Sequence, residues 1–122
     1  MRTKLAGFVG GLWLLLVTPV LGHHSVSQYD MSHPTSVTGV VKRMEWTNPH
    51  AYIYLIVKNE KGADEEWAIE INSPNYLKHN GWTSATVKAG DAITCTGGRA
   101  KDGARTMRTL TVKLANGILL RG

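Results

Sequence analysis

The sequence predicts a small, mainly β domain built as an OB-type barrel with five to six strands. Short segments of alternating or continuous apolar residues, typical of strands, are separated by frequent turn residues. A short helix is expected between the third and fourth of these segments, which is the element order of an OB-type barrel closed at one end by a helix. Because the strands are short and the turns frequent, a closed or nearly closed barrel is favoured over an open sandwich.

The first 22 residues have the organisation of a secretory signal peptide. Arg2 and Lys4 form a basic start, and residues 6–17 are an unbroken run of apolar residues and glycine. Twelve residues are too few to span a bilayer comfortably. Val20 and Gly22 are small enough for the −3 and −1 positions of a signal-peptidase site, so cleavage is expected to leave His23 as the N-terminus of a periplasmic protein. A retained N-terminal anchor helix is the alternative.

Residues 23–122 have the length of one small domain. Removal of residues 1–22 leaves 100 residues with 12 Lys and Arg against 9 Asp and Glu, a net charge of +3. No basic cluster stands out, so nucleic-acid binding is not expected, and no stable membrane insertion is expected after cleavage. Cys95 is the only cysteine and cannot form an internal disulfide; its alternating strand pattern predicts a buried, inert thiol.

Residues 23–36 are predicted to form an irregular N-terminal arm, and residues 37–122 the barrel domain. The arm is polar and carries three histidines. A helix is expected from Pro74 to Asn80, with Ser73 as its N-cap and Gly81 as its stop. The strands are expected at residues 37–46, 51–57, 66–71, 92–99, 106–114 and 118–120.

The loop from Trp46 to His50 is the expected ligand face. Pro49 biases Asn48 away from the helical conformation, so the chain should reverse here between the first two strands. Loops held by a rigid sheet often carry function, and in OB barrels this loop borders the ligand face. Trp46, Asn48 and His50 are therefore the ligand-face candidates.

Strand alternation also predicts the interior and the solvated face of the barrel. Gly39 is expected at a bulge or a sharp coil. Three tryptophans are expected to pack in the core or at its rim. The expected interior residues are Ile53, Leu55, Ile69, Ile93, Val112 and Leu114. The acidic residues expected on solvated strand faces are Glu45, Glu66 and Glu70.

The chain combines six short motifs: His23-His24-Ser25, Glu45-Trp46-Thr47-Asn48-Pro49-His50, Trp67 with Ile69-Glu70, Ser73-Pro74, Gly81-Trp82 and Gly90-Asp91. Together they resemble a family of small exported proteins from Gram-negative bacteria that is classed as a domain of unknown function. The resemblance covers nearly all of residues 23–120. It implies an exported barrel-like domain, and it implies no activity, substrate or catalytic residue.

The histidines suggest a copper site. An N-terminal His23 would offer both its α-amine and an imidazole nitrogen, and His50 or His24 could add a second imidazole. Three such nitrogens in a T-shaped arrangement, a histidine brace, suit the tetragonal preference of copper. The alternatives are another metal such as zinc, or a solvated histidine tail without a ligand.

Two classes of function therefore remain open from the sequence. The first is a periplasmic copper-binding protein that uses His23, His24 and His50. The second is a barrel adaptor that binds a protein or small molecule through its first loop, without a metal. Enzymatic activity is not expected, because Ser25 and Ser73 lack a convincing base. Arg99, Arg105 and Arg108 could form a basic strip for an anion, although exposed strand charge is the simpler explanation.

Overall fold

A computed structural model describes residues 26–122 of the chain. The predicted signal peptide, residues 1–22, and two of the predicted ligands, His23 and His24, lie outside the described residues. The first element of the described residues is a 3₁₀ turn at Val26–Gln28. The strands are β1 Thr35–Glu45, β2 Tyr52–Lys58, β3 Asp64–Glu70, β4 Ala92–Arg99, β5 Thr106–Lys113 and β6 Leu119–Arg121, and the helix α1 is Pro74–His79.

The strands form the predicted OB-type barrel. They follow the order β3-β2-β1-β4-β5-β6, and every neighbouring pair is antiparallel. A parallel pairing between β3 and β5 closes the first five strands into a barrel, leaving β6 as an extra strand on β5. The mainly β class, the closed barrel and the single short helix between β3 and β4 are all confirmed.

Local sequence explains where α1 begins and ends. The Ser73 side chain accepts a hydrogen bond from the Tyr76 amide at 3.2 Å, and Pro74 occupies the first turn, where no backbone donor is required. Gly81 follows with φ of +87°, a left-handed conformation that favours glycine. Leu77 is fully buried in the core, so the helix is anchored to the barrel through this side chain.

Five of the six predicted interior residues are buried, and Leu114 is only partly buried. Leu110, an apolar residue within β5, is 45% exposed. Pairing between β4 and β5 joins Thr96 to Thr111 and then Gly97 to Thr109, so Leu110 is skipped. This bulge changes which side of β5 faces inward, and a simple alternation along the strand cannot anticipate it.

The other bulge lies three residues from its predicted position. In the β1–β2 pairing Val41 faces Leu55 and Arg43 faces Tyr54, so Lys42 is the extra residue. Gly39 serves close packing instead: a Cβ at this position would lie 2.6 Å from the carbonyl oxygen of Ile56. Glycine is therefore required where β1 passes this neighbouring backbone.

Cys95 is buried in the core and forms no disulfide, as predicted. Burial raises the pKa of its thiol to about 12, and only the thiolate is a good nucleophile. We expect no alkylation of the folded protein by iodoacetamide at pH 8 and complete alkylation in denaturant, measured by intact mass. Rapid labelling of the folded protein would contradict the burial of Cys95.

Candidate functional site

A buried carboxylate is the centre of the candidate site. Glu70, at the end of β3, is only 2% exposed. The prediction that it lies on a solvated strand face is wrong. Glu70 is paired with Tyr52 of β2 and Arg108 of β5, on the strand face opposite to that of the buried Ile69. Side chains from other segments of the chain contact its carboxylate there and shield it from solvent.

Three side chains compensate the charge of Glu70. The Tyr29 hydroxyl donates to Oε2 at 2.9 Å, and Nδ1 of His50 lies 2.6 Å from Oε1. Arg108 donates from Nη1 to Oε1 at 3.3 Å and to the Ile71 carbonyl at 3.0 Å. A buried carboxylate is tolerated when it is paired and hydrogen-bonded in this way. Tyr29, His50, Glu70 and Arg108 are hereafter the Glu70 cluster.

The loop between β1 and β2 holds His50 against the end of β3. The backbone amide of Ala51 donates to the Asn72 carbonyl, and the Ile71 amide donates to the Ala51 carbonyl. Within the loop, Thr47 Oγ1 donates to the His50 carbonyl at 3.1 Å. The Asn48–Pro49 peptide is cis. The loop presents His50 between two strands, as predicted.

The His50 ring has two distinct sides. Nδ1 faces the buried carboxylate of Glu70, whereas the side chain as a whole is 29% exposed. A carboxylate next to one ring nitrogen fixes the orientation of the ring and favours a proton on that nitrogen. Nε2 is then left as the nitrogen with a lone pair for a ligand.

Tyr29 ties the N-terminal arm to the cluster. Its side chain is buried, its backbone forms an isolated bridge with Ala100, and the next amide, of Asp30, donates to the Arg99 carbonyl. Burial raises the pKa of the Tyr29 hydroxyl, so this group remains a hydrogen-bond donor to Glu70 at neutral pH. The arm is therefore fixed to the barrel at the site of the buried carboxylate.

A cavity of about 410 Å³ adjoins the cluster. Val26 and Met31 of the arm line it together with Arg108 and Arg121. Since Arg108 also donates to Glu70, the first described residue of the arm lies near the cluster.

The other candidate residues have different surroundings. Trp46 packs partly buried against the core, and Asn48 is exposed in the loop. His33 contacts Asp30 at the surface, and His79 contacts the Asn75 carbonyl on α1. Within residues 26–122, no three His, Cys, Asp or Glu side chains are grouped so that they could hold a metal ion.

The three arginines considered as a basic strip do not act together. Arg108 belongs to the Glu70 cluster, Arg105 lies 3.6 Å from Glu65, and the Arg99 guanidinium lies over the Trp67 ring. No helix in the described range is long and apolar enough to cross a membrane.

Sequence reasoning identified His50 but missed its partners. Glu70 alternates with apolar residues in a pattern that fits either face of a strand, and neither Tyr29 nor Arg108 is near it in sequence. Periodicity carried no signal of its burial, because Glu70 lies on the strand face opposite to that of Trp67 and Ile69.

Comparison with known proteins places the chain in a family. A family model described as "Family of unknown function (DUF6152)" matches residues 13–109, which is most of the chain. Neither the curated proteins nor the solved structures contain a match. The matched range includes all four residues of the Glu70 cluster. The chain therefore belongs to this family of unknown function, DUF6152.

Proposed function

We propose that the protein is an exported, periplasmic copper-binding protein in which His50 supplies one imidazole ligand and His23 supplies its α-amine and its imidazole. The observation that carries the proposal is the 2.6 Å contact between His50 Nδ1 and the buried carboxylate of Glu70. Histidines that bind metals usually donate the N–H of the other ring nitrogen to such a group.

This contact prepares His50 for a metal in two ways. It orients the ring, because Glu70 is itself held by Tyr29 and Arg108. It also favours the tautomer with the proton on Nδ1, which leaves Nε2 as the ligand nitrogen. The partly exposed ring can then offer Nε2 to an ion at the surface.

The position of the arm supports the participation of its first residues. Tyr29 is fixed to Glu70, and His23 precedes it by six positions. Six residues reach at most about 20 Å, which is long enough to bring His23 to His50, since Tyr29 and His50 contact the same carboxylate. His24 lies one position nearer and is the alternative source of an imidazole.

Export completes the proposed site. The basic start, the apolar run and the residues at positions −3 and −1, Val20 and Gly22, support cleavage after Gly22. The α-amine of His23 then becomes free to join its own imidazole in a chelate. Two imidazoles and an amine are intermediate donors that suit Cu²⁺ in a tetragonal arrangement.

The test compares the cupric affinity of the wild-type protein with that of three variants. His50→Ala, His23→Ala and one extra residue before His23 should each weaken binding at least about tenfold, because loss of even an outer-shell partner commonly costs that much. Competition titration gives the affinities. His79→Ala is the matched control, because it removes an exposed imidazole that contacts only α1.

The variant with an added residue is the sharpest of the three, because it keeps every side chain and displaces only the terminal amine. Intact mass of periplasmic protein should first show His23 at the N-terminus. Unchanged affinity in the extended variant would exclude the brace and leave a side-chain site. Unchanged affinity in all three would exclude His23 and His50 as copper ligands and would favour an adaptor that uses the exposed surface of the first loop.

A further inference from the structure

The hairpin formed by β5 and β6 exposes large apolar side chains. Ile118 is 53% exposed and Leu119 is 63% exposed, and both follow the turn in which the Gly117 amide donates to the Leu114 carbonyl. Leu110 of β5 is also exposed. Apolar residues scattered singly over a surface are ordinary, but three on one short hairpin form a patch, which is typical of an interaction surface.

The same hairpin carries only positive charge. Lys113 is directly opposite Leu119 in the β5–β6 ladder, and Arg121 lies two positions further along the same face of β6. Strands β4, β5 and β6 contain no acidic residue, whereas β3 contains four. Among residues 26–122, neither Lys113 nor Arg121 takes part in an ion pair. The residues hereafter called the hairpin face are Leu110, Lys113, Ile118, Leu119 and Arg121.

This charge decides against a second copy of the chain as the partner. A two-fold dimer uses one patch on both subunits, so it would place the lysine and the arginine of one copy close to those of the other. Like charges brought together in an interface oppose association. The charge of the hairpin face is instead complementary to a negatively charged partner.

Addition of an extended peptide strand is also disfavoured. The backbones of Ile118 and Gly122 bond to β5, so the backbone of Arg121 points to the free edge of β6. There the Arg121 carbonyl already accepts a hydrogen bond from Trp82 Nε1 at 2.7 Å. The hairpin face therefore offers its side chains to a partner, and the strand edge beside it is capped.

We propose that the hairpin face docks on a membrane surface that contains anionic phospholipids. Ile118 and Leu119 enter the boundary between headgroups and acyl chains, and Lys113 and Arg121 lie beside them at the level of the phosphates. Apolar side chains flanked by basic ones are the combination that binds such surfaces. The contact is reversible, because three apolar and two basic side chains supply far less than a membrane-spanning segment.

This docking does not depend on the proposed copper site. No residue of the hairpin face belongs to the Glu70 cluster, and vesicle binding is measured without metal. Residues 1–22 contain an apolar run of their own. The protein used is therefore the exported form with His23 at its N-terminus, and all variants share that N-terminus.

The experiment measures co-sedimentation with vesicles of phosphatidylcholine, either pure or with about one quarter phosphatidylglycerol. We expect at least about tenfold tighter binding to the anionic vesicles, because each of the two basic residues contributes roughly fivefold near such a surface. About 0.5 M NaCl should remove this preference, since salt screens exposed charges.

Two double variants test the two parts of the face. Replacing the apolar pair, Ile118→Ser with Leu119→Ser, should weaken binding at least about tenfold, because both side chains lose apolar area that the membrane would bury. Replacing the basic pair, Lys113→Gln with Arg121→Gln, should remove the preference for anionic vesicles. All four side chains are exposed, so circular dichroism should show an unchanged fold.

Val40→Ser and Lys61→Gln are the matched controls and should bind like the wild-type protein. Val40 is an exposed apolar residue on β1, which is two strands away from β5 around the barrel, and Lys61 is exposed in the turn between β2 and β3. No binding to anionic vesicles, or equal binding by the apolar double variant, would overturn the proposal. Binding to polyglutamate in place of vesicles would assign the face to an acidic protein, and dimerisation in sedimentation velocity would assign it to a second copy; either result would also overturn it.

Discussion

Replacing Glu70 with alanine is expected to lower the free energy of unfolding by about 3–5 kcal/mol, which is the usual cost of breaking a buried ion pair by removing one partner. The substitution leaves the largely buried Arg108 without its carboxylate and the Tyr29 hydroxyl without its acceptor. It also opens a cavity where β3 meets β5. Urea denaturation followed by circular dichroism measures the change.

Two further variants separate the buried charge from the loss of a side chain. Glu60→Ala removes a carboxylate from the exposed turn after β2 and should change stability by no more than about 0.5 kcal/mol. Glu70→Gln keeps the shape and an acceptor oxygen, so we expect a loss smaller than that of the alanine variant. Equal, small effects of Glu70→Ala and Glu60→Ala would contradict the role of the cluster in holding the barrel closed.

The fold was accessible from the sequence because its signals are local. Ser73 and Pro74 begin the helix and Gly81 follows its end, and each acts through the backbone of its own neighbours. Alternation in β2 and β3 placed Ile53, Leu55 and Ile69 inside correctly. The bulges were not accessible, since the register shift that exposes Leu110 depends on how two strands pair.

Only one of the four residues of the Glu70 cluster was accessible. The Asn-Pro turn indicated His50 through local chain geometry. Glu70 lies on the face of β3 opposite to the core, and its burial depends on side chains from distant segments, among them a hydroxyl on the arm 41 residues away. Periodicity within one segment does not express contacts of this kind.

Closure of the barrel links the core to the Glu70 cluster. The parallel pairing of β3 with β5 places Ile69 beside Met107 in the core and Glu70 beside Arg108 on the opposite face. Variants that loosen the core should consequently disturb the cluster as well, whereas a variant at His50 should leave the core intact. The core itself is best tested by a truncation outside the cluster.

Ile53→Ala is expected to lower the free energy of unfolding by about 2–5 kcal/mol. Ile53 is fully buried on β2, between Met44 of β1 and Ile69 of β3 in the two ladders. Because strands on both sides fix the backbone, the barrel cannot collapse onto the missing atoms, and the cavity term adds to the lost burial. Ile118→Ala is the matched control: this isoleucine is 53% exposed in the turn before β6, and its truncation should cost no more than about 0.5 kcal/mol. Similar urea midpoints for the two variants would show that the side chain of Ile53 does not face the core of the barrel.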